Sequence, residues 1–294
     1  MFSSFILGTV QLGMQYGLGQ WKNETMPEEV AFSILNKAWE YGFNTLDTSP
    51  NYGKANFRIK KFMKLYPEKK FHIILKIKNM SQRDNTFKSL LKTIKEENFV
   101  ELEACQTLTV LLHNENDIYN NLITDQLNEL LRKGHINDWG ISIYSSKVIE
   151  RVIEFPECKI IQLPFSVLNQ SMLNNGTIEK LNKLNKIILA RSIFTQGLLF
   201  EKNLENKNLV KEVNNTINYL LNYSHSINQS LSQIASRFIL SFEEINSIII
   251  GFDNVQQIKD FHFIEHSRLE KNNISKIINL GKLIPKNSVS PEKW

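Results

Sequence analysis

Short apolar, β-prone runs recur along the chain: FILGTV (5–10), FNTLD (43–47), FHIILK (71–76), TLTVLLH (107–113), INDWGIS (136–142), KIIQLP (159–164), KIILAR (186–191) and INSIIIG (245–251). Almost every gap between them carries a helical period instead. Ile123, Leu127, Leu130 and Leu131 fall at i, i+4, i+7 and i+8, one apolar face. Leu231, Ile234, Ala235 and Phe238 make another. Thr25-Met26-Pro27-Glu28 has the spacing of a capping box with proline near the helix start, which predicts the first helix there. Val255, Ile258 and Phe261 follow Asp253 and Asn254, and either of those side chains suits the cap of a last paired helix.

Strands that alternate with helices imply right-handed crossovers and a parallel sheet. Continuous apolar runs fit strands covered on both faces. The eight such runs counted above predict an α/β chain folded as a (β/α)8 TIM barrel, an architecture of typically ~250 residues. The competing architecture, an open doubly wound sheet, calls for a glycine-rich phosphate turn after an early strand. In GTVQLGMQYGLG the glycines stand at 8, 13, 17 and 19, which does not give the G-x-G-x-x-G spacing. No Pro/Gly/Ser linker or low-complexity tract interrupts the chain. Residues 1–294 therefore read as one domain, with an insertion at 201–228 before the seventh helix and a C-terminal helix and tail at 267–294.

Composition narrows the function classes. Apolar residues make up 42% and charged residues 22%, ordinary globular proportions that leave enough for a sizeable core. The formal net charge of +5 is spread thinly, with small clusters at Lys60, Lys61 and Lys64 and at Lys69 and Lys70 that read as solvated faces. Such an excess helps to attract a phosphorylated ligand. It does not indicate nucleic acid, since no aromatic stacking platform accompanies a basic groove. The two cysteines, Cys105 and Cys158, are no disulfide framework and fit a reducing compartment. The opening MFSSFILGTVQLG lacks the basic region of a signal peptide, and the apolar runs fall short of the ~20 residues a membrane helix needs. A cytoplasmic location without membrane contact is expected. His262 and His266 are four apart on a helix, but no carboxylate or cysteine at zinc-like spacing completes a metal site.

In a barrel, reactive side chains come from the C-terminal ends of several strands. Asp47 ends the second predicted strand and Tyr52 lies in the loop after it; Lys76 ends the third, His113 the fourth and Ser142 the fifth; Gln162 is in the sixth; Arg191 and Ser192 end the seventh. Each residue alone has a structural reading: a cap, a packing aromatic, a snorkelling lysine, a core histidine. Together they suit carbonyl reduction. A tyrosine holds its proton with a pKa of about 10, and a neighbouring ammonium favours the phenolate and lowers that value. Lys76 is placed to supply the ammonium, Asp47 to hold Lys76 charged, and a neutral His113 to orient a substrate carbonyl.

The chain resembles the aldo-keto reductase family along nearly its whole length, through LGTVQLG, GFNTLDTSPNYG, ILK, LLHNEND, LRKGHINDWGIS, IQLPFSVLNQ, RSIFTQGLL and SIIIGFDNVQQI in order. The resemblance implies a (β/α)8 barrel, a nicotinamide cofactor, NADP(H) or NAD(H), bound without a Rossmann fold, and a small-molecule carbonyl substrate. It implies the tetrad Asp47, Tyr52 as acid, Lys76 and His113. Gly8 and Thr9 are assigned to the cofactor, and Ser142 and Gln162 to its carboxamide. Arg191 takes a place often held by a stacking aromatic, Ser192, Gly197 and Leu198 match the pyrophosphate stretch, and Gly251, Asp253, Asn254 and Gln257 match the adenosine end. The chain departs from the family at Ile143, where asparagine is usual, and in the helix after YG, which lacks the usual Glu. Its N-terminus is short of the hairpin that often plugs the barrel. The opening LGTVQLGMQYG resembles a bacterial subgroup associated with surface-polysaccharide synthesis.

An alternative reading is a catalytically weak nicotinamide-binding sensor or scaffold on the same barrel; a third takes Lys76 as a Schiff-base lysine. A monomer or weak homo-oligomer is expected. Segments 18–26, 77–81, 114–117 and the C-terminal tail are placed at the mouth, with Trp21 and Trp294 as apolar walls, which suits a sugar-like carbonyl compound. No cation follows Gly251 until Lys259, and Asp253 stands where a carboxylate would repel a 2′-phosphate or accept a ribose hydroxyl, so weaker discrimination for NADPH than is usual in the family, with room for NADH use, is expected. In the competing reading Asp253 caps the following helix and faces water.

Overall fold

A computed structural model describes residues 2–77, 87–97, 105–204, 209–262, 268–285 and 288–289. The strands are β1 Phe5–Gly8, β2 Thr45–Thr48, β3 His72–Ile77, β4 Thr107–Leu112, β5 Asp138–Ser142, β6 Cys158–Pro164, β7 Ile187–Arg191 and β8 Ser247–Ile250. All pairs are parallel, in sequence order, and β8 returns to β1 to close a barrel. The helices are α1 Glu28–Glu40, α2 Ala55–Leu65, α3 Phe87–Lys92, α4 Asn121–Arg132, α5 Ile149–Ile153, α6 Ser171–Asn174, α7 Thr177–Lys183, α8 Lys211–Ser226, α9 Leu231–Leu240, α10 Val255–His262 and α11 Lys271–Lys282. This is the predicted (β/α)8 arrangement, with strand edges shifted by a few residues. The first apolar run, for example, is strand only to Gly8; Val10–Leu12 coils into a 3-10 turn.

Period-two alternation explains where the site lies. Ile6, Ile74, Leu111, Ile160, Leu189 and Ile249 form their own apolar cluster inside the barrel, with Phe2 packed against it. Successive side chains of a strand point to opposite faces. The residues two positions further on therefore also point inward: Gly8, Lys76, His113, Gln162, Arg191 and Gly251. One pleat of each strand fills the core and the next supplies chemistry. The larger core lies between strands and helices and includes Trp139, Phe43, Phe62, Phe71, Phe165 and Phe238, all fully buried. Burying each such ring contributes about 1.5–3 kcal/mol. Gly140 is required where β5 meets β6, because a Cβ there would stand 1.8 Å from the Ile160 carbonyl oxygen.

The inserted segment and the C-terminal helix meet: α8 packs on α11, and Tyr219 donates to Asn273 Oδ1 at 2.7 Å. The capping box predicted from Thr25 does not form. Helix α1 starts after Pro27 with no side-chain cap, and Glu28 and Glu29 supply the first-turn negative charge instead. A capping box does form at α9, between Ser230 and Gln233. No helix among the described residues is long and apolar enough to cross a membrane. No group of three potential metal ligands occurs among the described residues. The His262–His266 pair lies outside them through His266.

Candidate active site

A cleft of about 360 Å³ opens at the C-terminal ends of the strands, within the usual range of small-molecule sites. Asp47, Tyr52, Lys76 and His113 line one end of it, and Gly251, Asp253 and Gln257 the other. Between them lie Gly8, Thr9, Ser142, Gln162, Arg191, Ser192 and Gly197. Two residues assigned from the sequence do not line it. Leu198 turns its side chain into the core, and Asn254 accepts through its side-chain Oδ1 from Gln257 N at 3.1 Å at the start of α10.

At the first end, β2, β3 and β6 close a polar network. Lys76 Nζ donates to Asp47 Oδ2 in an ion pair whose side chains are 3% and 4% exposed. Gln162 Nε2 donates to Asp47 Oδ1 at 2.8 Å, and its Oε1 accepts from Lys76 Nζ at 3.4 Å and from Ser142 Oγ at 3.3 Å. Gln162 thus braces both charged partners. Burial acts against the Lys76 ammonium, but the Asp47 charge and hydrogen bonds to Asp47 and Tyr52 outweigh it, and the pKa is raised. The ammonium sits 5.1 Å from the centre of the Tyr52 ring. His113 meets Tyr52 edge to face, with centroids 6.5 Å apart, and its Nδ1 is 3.3 Å from Ser49 Oγ.

The lowering of the Tyr52 pKa expected from Lys76 is present but outweighed. Burial raises its pKa above 10.0; the Lys76 charge and hydrogen bond pull the other way without reversing it, and Asp47 adds to the rise. The ammonium and carboxylate are so close that their fields partly cancel at the phenol. Tyr52 therefore holds its proton firmly at neutral pH.

Across the cleft, Arg191 ties β7 to β5. Its Nε donates to Ser142 Oγ at 3.3 Å, Nη2 to the Ile143 carbonyl at 3.2 Å and Nη1 to Ser192 Oγ at 3.4 Å, while its guanidinium lies 4.1 Å over the Tyr144 ring. The Ile143 side chain is fully buried, so at this position only its backbone faces the site chemistry. The loop after β7 is strained: Ser192, Thr195 and Gln196 have φ of 59°, 49° and 53°, and Gly197 has 95°. Thr9 is fully buried and donates to Thr48 Oγ1 at 2.8 Å and to the Asp47 carbonyl at 3.0 Å, holding β1 to β2 directly beneath the ion pair.

At the end assigned from the sequence to adenosine, Asp253 neither caps α10 nor faces water. It is 5% exposed, its Oδ2 accepts from Gln20 N at 3.0 Å, and its backbone N donates to Gln257 Oε1 at 2.7 Å. Its Oδ1 is buried and has no hydrogen-bond partner among the described residues. The hydroxyl, amide and guanidinium groups of Thr9, Ser142, Gln162, Arg191 and Ser192 in the lining suit the amide, hydroxyl and phosphate groups of a dinucleotide, and Gly197 leaves room for a ligand to approach its backbone. The residues present thus fit a nicotinamide dinucleotide. Trp21 is no wall of the mouth. It is buried and donates through Nε1 to the Asp253 carbonyl at 2.9 Å. Trp294 and residues 78–81 of the expected mouth lie outside the described residues.

Sequence reasoning missed Tyr16, Tyr144 and Gln196, all of which line the cleft. Tyr16 had a readable signal, as an aromatic bracketed by Gly13 and Gly17 in a long loop after a strand. Tyr144 and Gln196 had none.

Comparison with known proteins agrees with this architecture. The profile of the aldo/keto reductase family matches residues 5–282. No curated protein sequence matches the chain. Among solved structures, a glycerol dehydrogenase from Gluconobacter oxydans superposes with a TM-score of 0.76 at 17% identity, over 99% of this chain and 94% of that one. The holo form of an aldo-keto reductase from Bacillus halodurans gives 0.74 at 17% identity, over 98% and 95%. An aldo/keto reductase from Klebsiella pneumoniae in complex with NADP and acetate gives 0.70 at 12% identity, over 97% and 93%.

Proposed function

The chain belongs to the aldo/keto reductase family, and from that premise we propose that it reduces an aldehyde or ketone to an alcohol with NADP(H) or NAD(H), Tyr52 being the proton donor. The observation that carries this reading is the Tyr52 phenol set against the buried Lys76–Asp47 pair and beside His113. The bound nicotinamide supplies the hydride. Tyr52 delivers its proton to the carbonyl oxygen as negative charge develops there. Lys76 stabilises the phenolate left behind, and Asp47 and Gln162 keep the ammonium charged and aimed. His113 donates a hydrogen bond that orients the carbonyl. The Lys76–Asp47 pair is shielded from water and Tyr52 is partly buried above it, where such electrostatic help is worth more than in solvent.

We assign the substrate to the hydroxylated, sugar-like carbonyl compounds. The hydroxyl, amide and guanidinium groups of Tyr16, Ser192, Gln196 and Arg191 in the cleft lining support this, as does the resemblance of the opening segment to the polysaccharide-linked subgroup. The cytosol suits the two free cysteines; burial pushes the thiols of Cys105 and Cys158 up to about 12, so neither is a reactive thiolate.

The test is turnover of an aldehyde panel with each cofactor, beside cofactor titration by fluorescence. Tyr52→Phe lowers kcat by about 10²–10⁴-fold, the usual contribution of a positioned general acid, while the cofactor dissociation constant stays within a factor of about three. Undiminished turnover in the variant overturns the donor assignment. Tight cofactor binding without turnover by the parent assigns the chain to the sensor class instead.

A further inference from the structure

The loop after β1 carries a second phenol into the cleft, and the fold holds it there at several points. Gly13 packs directly on the Tyr52 loop: a Cβ on it would stand 1.9 Å from the Tyr52 carbonyl oxygen, and its own carbonyl accepts from Lys54 N at 3.0 Å. Beyond Tyr16 the chain turns at Gly17, with φ of 67°, and Leu18 N donates to the Gln196 carbonyl at 2.9 Å. It is then pinned by Gln20 N and Trp21 Nε1 to Asp253. Tyr16 thus lies on a strap that crosses from the Tyr52 loop to the loops after β7 and β8. The strap is fixed on both sides of the residue, so the ring is positioned before any ligand binds.

Tyr16 is half-buried and lines the same cleft as Tyr52, His113 and Arg191. Several of the cleft's other polar groups are committed, whereas the Gln11 and Gln196 side chains, like Tyr16, have no hydrogen bond among the described residues. Gln162 and Ser142 serve the ion-pair network, and Arg191 is held by Ser142, Ile143 and Ser192. No hydrogen bond engages the Tyr16 hydroxyl among the described residues. Burial, then the neighbouring Tyr52, raises its pKa from 10.0, so it remains a donor at neutral pH. It is not assigned as the acid of the reaction, because the Lys76 ammonium that stabilises a phenolate sits over the Tyr52 ring, 5.1 Å from its centre.

We propose that Tyr16 is a specificity-determining residue whose hydroxyl hydrogen-bonds an oxygen substituent adjacent to the reacting carbonyl, selecting hydroxylated aldehydes and ketones over plain ones. This rests on the reductase reading above. A buried donor matched by a substrate hydroxyl discriminates against the analogue lacking it, since that analogue leaves the donor unpaired.

The experiment compares kcat/KM for D-glyceraldehyde and for propanal in the parent and in Tyr16→Phe, which removes only the hydroxyl. The parent favours glyceraldehyde, and the variant lowers the glyceraldehyde-to-propanal ratio by about 10-fold, mainly through the KM for glyceraldehyde. Each ratio is taken within one protein, so loss of folded material cancels. An unchanged ratio overturns the assignment, whether both activities persist or fall together. A variant as inactive toward both aldehydes as Tyr52→Phe overturns it too, by making Tyr16 part of the proton transfer. A parent that reduces neither aldehyde with either cofactor overturns the reductase reading and this assignment with it.

Discussion

Replacing Lys76 by methionine separates its electrostatic role from its structural one. In the proposed reaction Tyr52 is left as a phenolate, and the Lys76 charge lies 5.1 Å from the centre of that ring. At an effective dielectric constant of about 20, unit charges at that separation interact by about 3 kcal/mol. If the whole of that were expressed in the transition state, the rate would fall by about 10²-fold. Proton transfer is incomplete there, so kcat/KM for aldehyde reduction falls by about 10- to 100-fold in Lys76→Met. The substitution also strands the Asp47 carboxylate, which is 3% exposed, with Gln162 Nε2 as its remaining side-chain donor in the network. Breaking a buried pair in this way costs about 3–5 kcal/mol. With an unfolding entropy of about 2.1 cal/mol/K per residue over 294 residues, Tm falls by roughly 5–8 °C. The double variant Asp47→Asn/Lys76→Met removes both charges. It regains most of the lost Tm, measured by calorimetry, but not the rate, measured by steady-state kinetics at saturating cofactor. A single variant that keeps kcat/KM within about three-fold of the parent refutes the argument. So does a double variant that recovers rate and stability together, because the field of Lys76 would then be irrelevant to the phenol.

Two further outcomes follow from the site. Because burial raises the Tyr52 pKa above 10.0, its protonated form is fully present through neutral pH and lost only as pH rises past that raised value. Reduction is therefore flat in kcat from about pH 6 to 9, while alcohol oxidation, which needs the phenolate, rises by about 10-fold per pH unit without levelling; an oxidation plateau below pH 9 would show that Lys76 dominates after all. Asp253→Asn keeps an acceptor for Gln20 N but removes the charge at the proposed adenosine end. Fluorescence titration should show the NADPH-to-NADH ratio of dissociation constants falling by about 10-fold, the scale of one repulsion relieved, and an unmoved ratio places the carboxylate away from the 2′ position.

The barrel was legible in the chain because its causes are local and repeated. Runs such as FHIILK and KIILAR are apolar on both faces, and helical periods such as that of Leu231 to Phe238 lie between them; parallel strands joined through helices then leave few topologies. Strand ends of a barrel converge by geometry, so Asp47, Lys76, His113, Gln162 and Arg191 were legible as neighbours from their places in those runs alone. What they do to one another was not. That Gln162 braces Asp47, and that burial outweighs Lys76 at Tyr52, depends on contacts across 115 positions of chain and on the exclusion of water, which no local pattern encodes. The same holds for Asp253. Its two sequence readings, a water-facing cap and a ligand group, were equally compatible with its neighbours, and only Gln20 and Trp21, 233 and 232 positions away in sequence, draw it inward. Thr25 shows the converse: its spacing satisfied the capping rule, yet the helix starts at Glu28 with Pro27 at its N-cap and no side-chain cap. Local propensity and periodicity specified which elements form and which face each presents; the pairing of charges, the depth of burial and the path of the strap bearing Tyr16 were decided by the assembled fold, since a hydrogen bond or a buried charge has its energy only where its partners are brought together and water is removed.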